Sequence, residues 1–109
     1  MTELTLVKGA QGWKGFEVHG HSGYAEAGSD IVCSAISALT QTTALALEEL
    51  LHLKTDLRVQ EGELSCYLPC GIDADIRPQA ELLLEAMALG LRDIAEGYSA
   101  YIHITERTV

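Results

Sequence analysis

Apolar and polar residues alternate at the start of the chain, and this alternation predicts two strands. Residues 3–8 place Leu4 and Leu6 on one face, and residues 13–20 alternate in the same way. The turn-forming sequence Gly-Ala-Gln-Gly separates the two segments. We therefore expect the chain to begin with a β-hairpin.

The next apolar residues recur at spacings of three and four, and they predict a helix over residues 30–53. Its expected core stripe consists of Val32, Ile36, Leu39, Thr43, Leu47 and Leu50. Asp30 stands at the expected N-cap, where its carboxylate accepts from the free backbone N–H groups of the first turn. Cys33 then falls within that first turn.

Two further strands, a second helix and a final strand complete the pattern. Strands are expected over residues 57–60 and 63–68, around a Glu-Gly turn. Pro78 suits the first turn of a helix that ends near Gly97, and residues 98–105 alternate as a last strand. The predicted fold class is α+β, with a single, mostly antiparallel sheet of about five strands and two packed helices in the order β-β-α-β-β-α-β.

Length and composition limit the class of protein. A chain of 109 residues is expected to form one domain over residues 1–109, and 48% hydrophobic against 21% charged residues argues against disorder. No apolar run in the sequence is expected to approach the roughly 20 residues that span a bilayer, and the first residues lack the features of a signal peptide. We therefore expect a cytoplasmic protein that does not bind membranes.

The charge of the chain bears on its partners. Sixteen acidic and seven basic side chains give a formal net charge of −9. Such a surface repels nucleic acid and attracts basic partners, so direct nucleic-acid binding is not expected.

Cys33 carries the strongest candidate chemistry. A thiol near the start of a helix feels the positive end of the helix dipole, which favours the thiolate. His21 ends the preceding strand and can take the proton of a thiol within its reach. The alternative is that Cys33 is a small core residue, although it lies one step past Val32 and off the apolar stripe.

The other cysteines and a second histidine allow a different interpretation. His19 and His21 lie on one strand face and could ligate a metal with Cys33, or with Cys66 and Cys70. The Cys-x-x-x-Cys spacing, with a proline inside it, is unlike that of common zinc knuckles. We expect neither a metal nor another cofactor, and the odd number of cysteines disfavours a disulfide framework.

Two short segments together resemble the motif of a known family. Residues 20–22 read Gly-His-Ser, and residues 28–37 read Gly-Ser-Asp-Ile-Val-Cys-Ser-Ala-Ile-Ser. The ribosomal-processing cysteine protease family, Prp, carries Gly-His-small, a short loop, and Gly-x-Asp-Ile/Leu-Val-Cys-small-small-Val/Ile-Ser. The residue types and both spacings match, and the length and the order of elements are similar along the whole chain.

This resemblance implies a bacterial cytoplasmic cysteine peptidase that uses His21 and Cys33 and forms a homodimer. It implies that the substrate is the precursor of large-subunit ribosomal protein twenty-seven, whose short N-terminal extension is removed. Asp30 and Ser37 also match motif positions. Asp30 either caps the helix or orients His21, and the catalytic set is a dyad if it only caps. We interpret Ser37 as support beneath Cys33.

The loop that joins the two parts of the motif is predicted to be flexible. We assign to it Gly20, Ser22, Gly23, Tyr24 and Gly28. Because glycine adopts backbone angles that other residues avoid, residues 22–29 are expected to be mobile without substrate and to close over it.

A non-enzymatic function is the competing hypothesis. On this interpretation the chain is a module that binds a ribosomal protein or an assembly factor, and Cys33 only packs. Rapid and selective alkylation of Cys33 near neutral pH would favour the enzyme, since the thiolate is the reactive form.

Overall fold

The computed structural model describes residues 1–20 and 27–109, with the backbone alone for residues 27–30. Five strands and two helices follow one another in the predicted order. They are β1 (Thr2–Gly9), β2 (Gly12–His19), α1 (Ala27–Glu49), β3 (Asp56–Gln60), β4 (Glu63–Tyr67), α2 (Arg77–Gly97) and β5 (Ile102–Thr108). The predicted fold class is confirmed.

The five strands form one mixed sheet in the order β3-β4-β2-β1-β5. Both predicted hairpins are present, because β1 pairs antiparallel with β2 and β3 pairs antiparallel with β4. The pair of β2 and β4 is also antiparallel, whereas β1 and β5 run parallel. The sheet is therefore mostly antiparallel, and α2 provides the crossover that a parallel neighbour requires.

Both helices contribute to a core shared with one face of the sheet. The inward side chains of β1 and β2 include Leu4, Leu6 and Phe16, all at most 1% exposed. The helices contribute the following buried apolar residues to the same cluster: Val32, Ile36, Ala44, Leu47, Ala80, Leu84, Met87, Ala88 and Leu91. The spacing of three and four along both helices thus produces the buried faces that it predicts.

The other face of the sheet is covered by long side chains instead of helices. Tyr67 and Gly15 pair across β4 and β2, and a Cβ on Gly15 would come within 2.7 Å of the Tyr67 ring. The Tyr67 hydroxyl therefore reaches over the glycine and donates to Glu17, and Arg107 donates to the same hydroxyl at 3.1 Å. The Tyr67 hydroxyl lowers the pKa of Glu17, with His19 and Arg107 contributing less.

The predicted start of α1 is wrong. The helix begins at Ala27 and not at Asp30, so Asp30 is its fourth residue and does not occupy the N-cap. Cys33 consequently lies in the second turn. Gly28, which we assigned to the flexible loop, lies inside the helix. The three added residues include a glycine and a serine. Both residue types have low helix propensity, so propensity did not predict this extension.

The predicted end of α1 is also wrong, because the helix stops at Glu49. His52 has a φ of 56°, and the N–H of Leu53 donates to the carbonyl of Leu47 at 3.1 Å. The left-handed conformation of His52 and this bond back to Leu47 turn the chain away from the helix axis. Leu50 lies beyond the helix end and is 70% exposed, so it is not part of the core.

The helix α1 also corrects our expectation about apolar length. Ile31–Glu49 is long and apolar enough to cross a membrane by length and composition alone. The same test is passed by core helices of globular proteins, and here Val32, Ile36 and Leu47 pack in the core with the sheet. Because the helix carries no charged residue between positions 31 and 47, its exposed side resembles a spanning segment in composition.

The last strand begins later than predicted. Residues 98–101 form a turn in which the N–H of Tyr101 donates to the carbonyl of Tyr98 at 2.9 Å. The carbonyl of Tyr101 then accepts from the N–H of Thr2 at 2.9 Å. This bond begins the parallel pairing of β1 with β5 and fixes the first residues of the chain in the sheet.

Candidate active site

Cys33 lies where the second turn of α1 passes the beginning of β1. The neighbouring Val32 is 1% exposed and belongs to the core, whereas Cys33 is only half-buried. Its Sγ lies 3.6 Å from the hydroxyl oxygen of Thr2, within hydrogen-bonding range for sulfur. The thiol is therefore held at the edge of the core, with part of its surface accessible.

A groove of about 230 Å³ runs beside Cys33. One wall is α1, where Cys33, Ser37 and Gln41 follow one another at intervals of four residues. The opposite wall is the β3–β4 hairpin, which contributes Gln60 and Glu63. A thiol in the wall of an open groove between a helix and a hairpin can meet a segment of another chain.

Gly20 fixes the point at which the chain leaves β2. Its φ is 88°, and a Cβ at this position would lie 2.7 Å from the carbonyl oxygen of Met1. Its N–H donates to the carbonyl of Gly62 at 2.9 Å. A side chain would therefore be strained here in two ways, and the end of β2 is held at the edge of the groove.

The structure describes only part of the predicted site. Cys33, Ser37 and Gly20 are described in full, and all three line the groove. Asp30 and Gly28 are described by their helical backbone. Outside the described residues lie His21, Ser22, Gly23 and Tyr24. Ser37 is exposed, one turn beyond Cys33.

His19 faces away from this groove. Side chains alternate along β2, and Val18 lines the groove, so His19 lies on the opposite face of the sheet. There its Nε2 is 3.1 Å from Glu17 and its Nδ1 is 3.6 Å from Glu63. The hydrogen bond with Glu17 is the main cause that raises the pKa of His19.

The remaining cysteines lie in different surroundings. Cys66 is 1% exposed in the core, and burial raises the pKa of its thiol to about 11. Cys70 is exposed in the segment after β4. Within residues 1–20 and 27–109, no three side chains of His, Cys, Asp or Glu are grouped so that they could hold a metal ion.

Two parts of the groove were missed by sequence reasoning. Thr2 is one of them. The sequence signal that could have indicated it is its register with Leu4 and Leu6, because Thr2 is a polar residue in a row of inward-facing apolar residues. The β3–β4 hairpin is the other. It reaches the groove because β4 pairs with β2 as well as with β3, its neighbour in the sequence. No local motif predicts the pairing of β4 with β2.

Comparison with known proteins agrees with this architecture. The family described as "Cysteine protease Prp" matches residues 1–103. The ribosomal processing cysteine protease Prp of Bacillus subtilis (strain 168) is 29% identical over 96 residues, which cover 86% of each chain.

Solved structures show the same fold. The structure of SMU.848 from Streptococcus mutans has a TM-score of 0.86 and 29% identity, and the match covers 100% of this chain and 96% of that one. The ribosomal processing protease Prp from S. aureus in complex with a substrate peptide has a TM-score of 0.85 and 23% identity, covering 98% of this chain and 100% of that one.

The fold and the family match define the class of protein, which is a cysteine peptidase. This is the class of enzyme to which a half-buried thiol beside an open groove is suited. The chain belongs to the ribosomal processing cysteine protease family, Prp.

Proposed function

We propose that this protein is an endopeptidase that removes the N-terminal extension of the precursor of large-subunit ribosomal protein twenty-seven, with Cys33 as nucleophile and His21 as base. The observation that carries the proposal is the half-buried Cys33 thiol in the wall of an open groove. Family membership supplies the reaction class.

The proposed mechanism follows from these groups. His21 takes the proton of Cys33, and the thiolate attacks the scissile carbonyl carbon. The first four residues of α1, 27–30, have backbone N–H groups without a helical partner, and we assign the stabilisation of the oxyanion to this end of the helix. His21 then protonates the leaving amine, and water hydrolyses the thioester.

Asp30 retains one of its two proposed roles. Since α1 starts three residues earlier, Asp30 does not cap the helix, and its remaining proposed role is to orient His21. If Asp30→Asn lowers turnover without changing the affinity for substrate, Asp30 is a third member of the site. Unchanged turnover would leave a dyad.

The substrate assignment has two supports besides the motif. The relative in Bacillus subtilis is a ribosomal processing protease, and the S. aureus protein was solved with a substrate peptide. The net charge of −9 complements a basic ribosomal protein. We propose that the reaction takes place in the bacterial cytoplasm, without direct binding of nucleic acid or membrane.

We also propose that the protein works as a homodimer. Several leucines on the outer sides of the helices are more than half exposed, among them Leu45, Leu82 and Leu89. Between residues 31 and 47, α1 carries no charge, so two acidic chains can approach along it without repulsion. Sedimentation equilibrium tests this directly, and a monomer at micromolar concentration would contradict it.

The decisive experiment uses the purified protein and the ribosomal protein with its extension. Intact-mass spectrometry is expected to show two products that sum to the substrate plus one water. Cys33→Ala is expected to leave the substrate whole. A stable complex with intact substrate and wild-type protein would instead favour the binding module.

A further inference from the structure

Thr2 is the first residue of β1, and its side chain faces the helices. It stands in register with Leu4 and Leu6, whose side chains lie in the core. Its backbone N–H donates to Tyr101, and the residue is 3% exposed. The position is therefore as buried as those of its apolar neighbours, although the residue is polar.

A buried hydroxyl is costly unless it forms a hydrogen bond. Among the described residues, the partner of the Thr2 hydroxyl is the Sγ of Cys33 at 3.6 Å. Threonine is branched at Cβ, so its χ1 angle is restricted, and the strand fixes its backbone. The hydroxyl is thus presented to the sulfur from a rigid element.

We infer that Thr2 is a positioning residue for Cys33, holding Sγ at the groove and donating its hydroxyl hydrogen to the thiolate. In the thiol form either atom can donate, whereas a thiolate only accepts. The bond is therefore stronger after Cys33 has lost its proton, because one partner is then charged. Thr2 keeps its own proton throughout, so it is not a base. This inference rests on the proposed role of Cys33 as nucleophile.

The charged groups near the groove define the electrostatic surroundings of Cys33. Within the described residues, Glu63 on β4 borders the groove, and its carboxylate lies 3.6 Å from Nδ1 of His19, on the opposite face of the sheet. On α1, residues 31–47 are uncharged, and Asp30, three residues before Cys33, is described by its backbone alone. Glu3 and His19 belong to the opposite face of the sheet. His21, the proposed base, lies outside the described residues.

The test compares Thr2→Val with Thr2→Ser. The first replaces the hydroxyl by a methyl group at nearly constant volume, and the second keeps the hydroxyl. Thr43→Val is the matched control, because Thr43 is also buried but its hydroxyl donates to the carbonyl of Leu39 at 2.7 Å. All variants carry Cys70→Ser, which removes the exposed thiol.

The rate of Cys33 alkylation by iodoacetamide is measured from pH 5 to pH 10 by peptide mass spectrometry. For Thr2→Val we expect the half-maximal rate to move upward by about half to one pH unit, and labelling at pH 7 to fall about three- to tenfold. Thr2→Ser is expected to restore the wild-type profile, and Thr43→Val to leave it unchanged.

An unchanged profile in folded Thr2→Val would overturn the inference, as would a Thr2→Ser variant that behaves like Thr2→Val. If Thr2→Val does not fold, Thr2→Ala provides the same comparison with a smaller side chain. Alkylation needs no substrate, so this result is independent of cleavage. Loss of the proposed function would appear as normal cleavage by Cys33→Ala, whatever the alkylation profile shows.

Discussion

Cys33 and Cys66 are the same chemical group in two opposite environments. Cys66 lies in the middle of β4, paired with Phe16 on one side and Leu57 on the other, and it is 1% exposed. Burial disfavours its charged form and raises the pKa of its thiol to about 11. Cys33 is half-buried, contacts the Thr2 hydroxyl and borders a groove. Burial and polar contacts therefore favour Cys33 over Cys66 as the proposed nucleophile.

The largest expected difference between the two cysteines is in catalysis. Cys33→Ala removes the proposed nucleophile and is expected to lower turnover by about a thousandfold or more. Cys66→Ala removes a packing group and is expected to leave turnover per folded molecule within about twofold. Progress curves on one substrate peptide measure both. Comparable losses in the two folded variants would remove the distinction.

A second comparison concerns the proposed base and uses substitutions of two histidines. His21→Ala is expected to lower turnover by about a hundredfold or more, since general-base catalysis is lost. His19→Ala is expected to be nearly silent, because His19 faces Glu17 and Glu63 on the other side of the sheet. Equal losses would argue for a shared role of both histidines, and a stoichiometric metal in the purified protein would then support a metal site.

Alkylation rates compare the three thiols within one sample. At pH 7 a pKa of about 11 leaves roughly one Cys66 thiol in ten thousand ionised, and burial shields it further. We expect Cys33 to be labelled at least about tenfold faster than the exposed Cys70, and Cys66 to be labelled last. Peptide mass spectrometry resolves the three sites. Labelling of Cys70 ahead of Cys33 would contradict an activated Cys33.

The smallest expected effects are on stability, and here substitution of Cys66 is expected to cost more than substitution of Cys33. Cys66→Ser buries a hydroxyl in the core and is expected to lower the free energy of unfolding by about 1–3 kcal/mol. Cys33→Ser is expected to change it by no more than about 0.5 kcal/mol, because the position is half exposed. Urea unfolding followed by circular dichroism measures both. A larger cost at Cys33 would assign it a structural role.

The sequence was sufficient to predict the strands and helices but not the order of the strands in the sheet. Periodicity located every strand and helix, and both hairpins were predicted from turn residues. The parallel pairing of β1 with β5 and the placement of β4 beside β2 were not predictable, because these pairings join segments far apart in the chain. Helix ends were misplaced where glycine and serine began α1 and where His52 adopted a left-handed conformation.

The candidate site divides in the same way between what one segment indicates and what the fold assembles. A cysteine near a helix start, after a histidine at a strand end, was enough to nominate Cys33 from local pattern. Thr2 was not nominated, because its contact with Cys33 joins the first strand to a helix 31 positions away. The groove wall formed by Gln60 and Glu63 depends on strand order in the same way. Candidate chemistry carried by residues of one segment can be predicted from the sequence. Contacts assembled from several segments can be predicted only when the fold is known.

Cys33 is the proposed site of the covalent bond to the substrate. An acid-quenched reaction with the extended ribosomal protein, digested and analysed by mass spectrometry, detects this bond. We predict a thioester that joins the Cys33 sulfur to the new carboxyl end of the N-terminal extension, with one water lost from the sum of the two masses. An adduct on Cys70 or Cys66, or cleavage that persists in Cys33→Ala, would contradict the account.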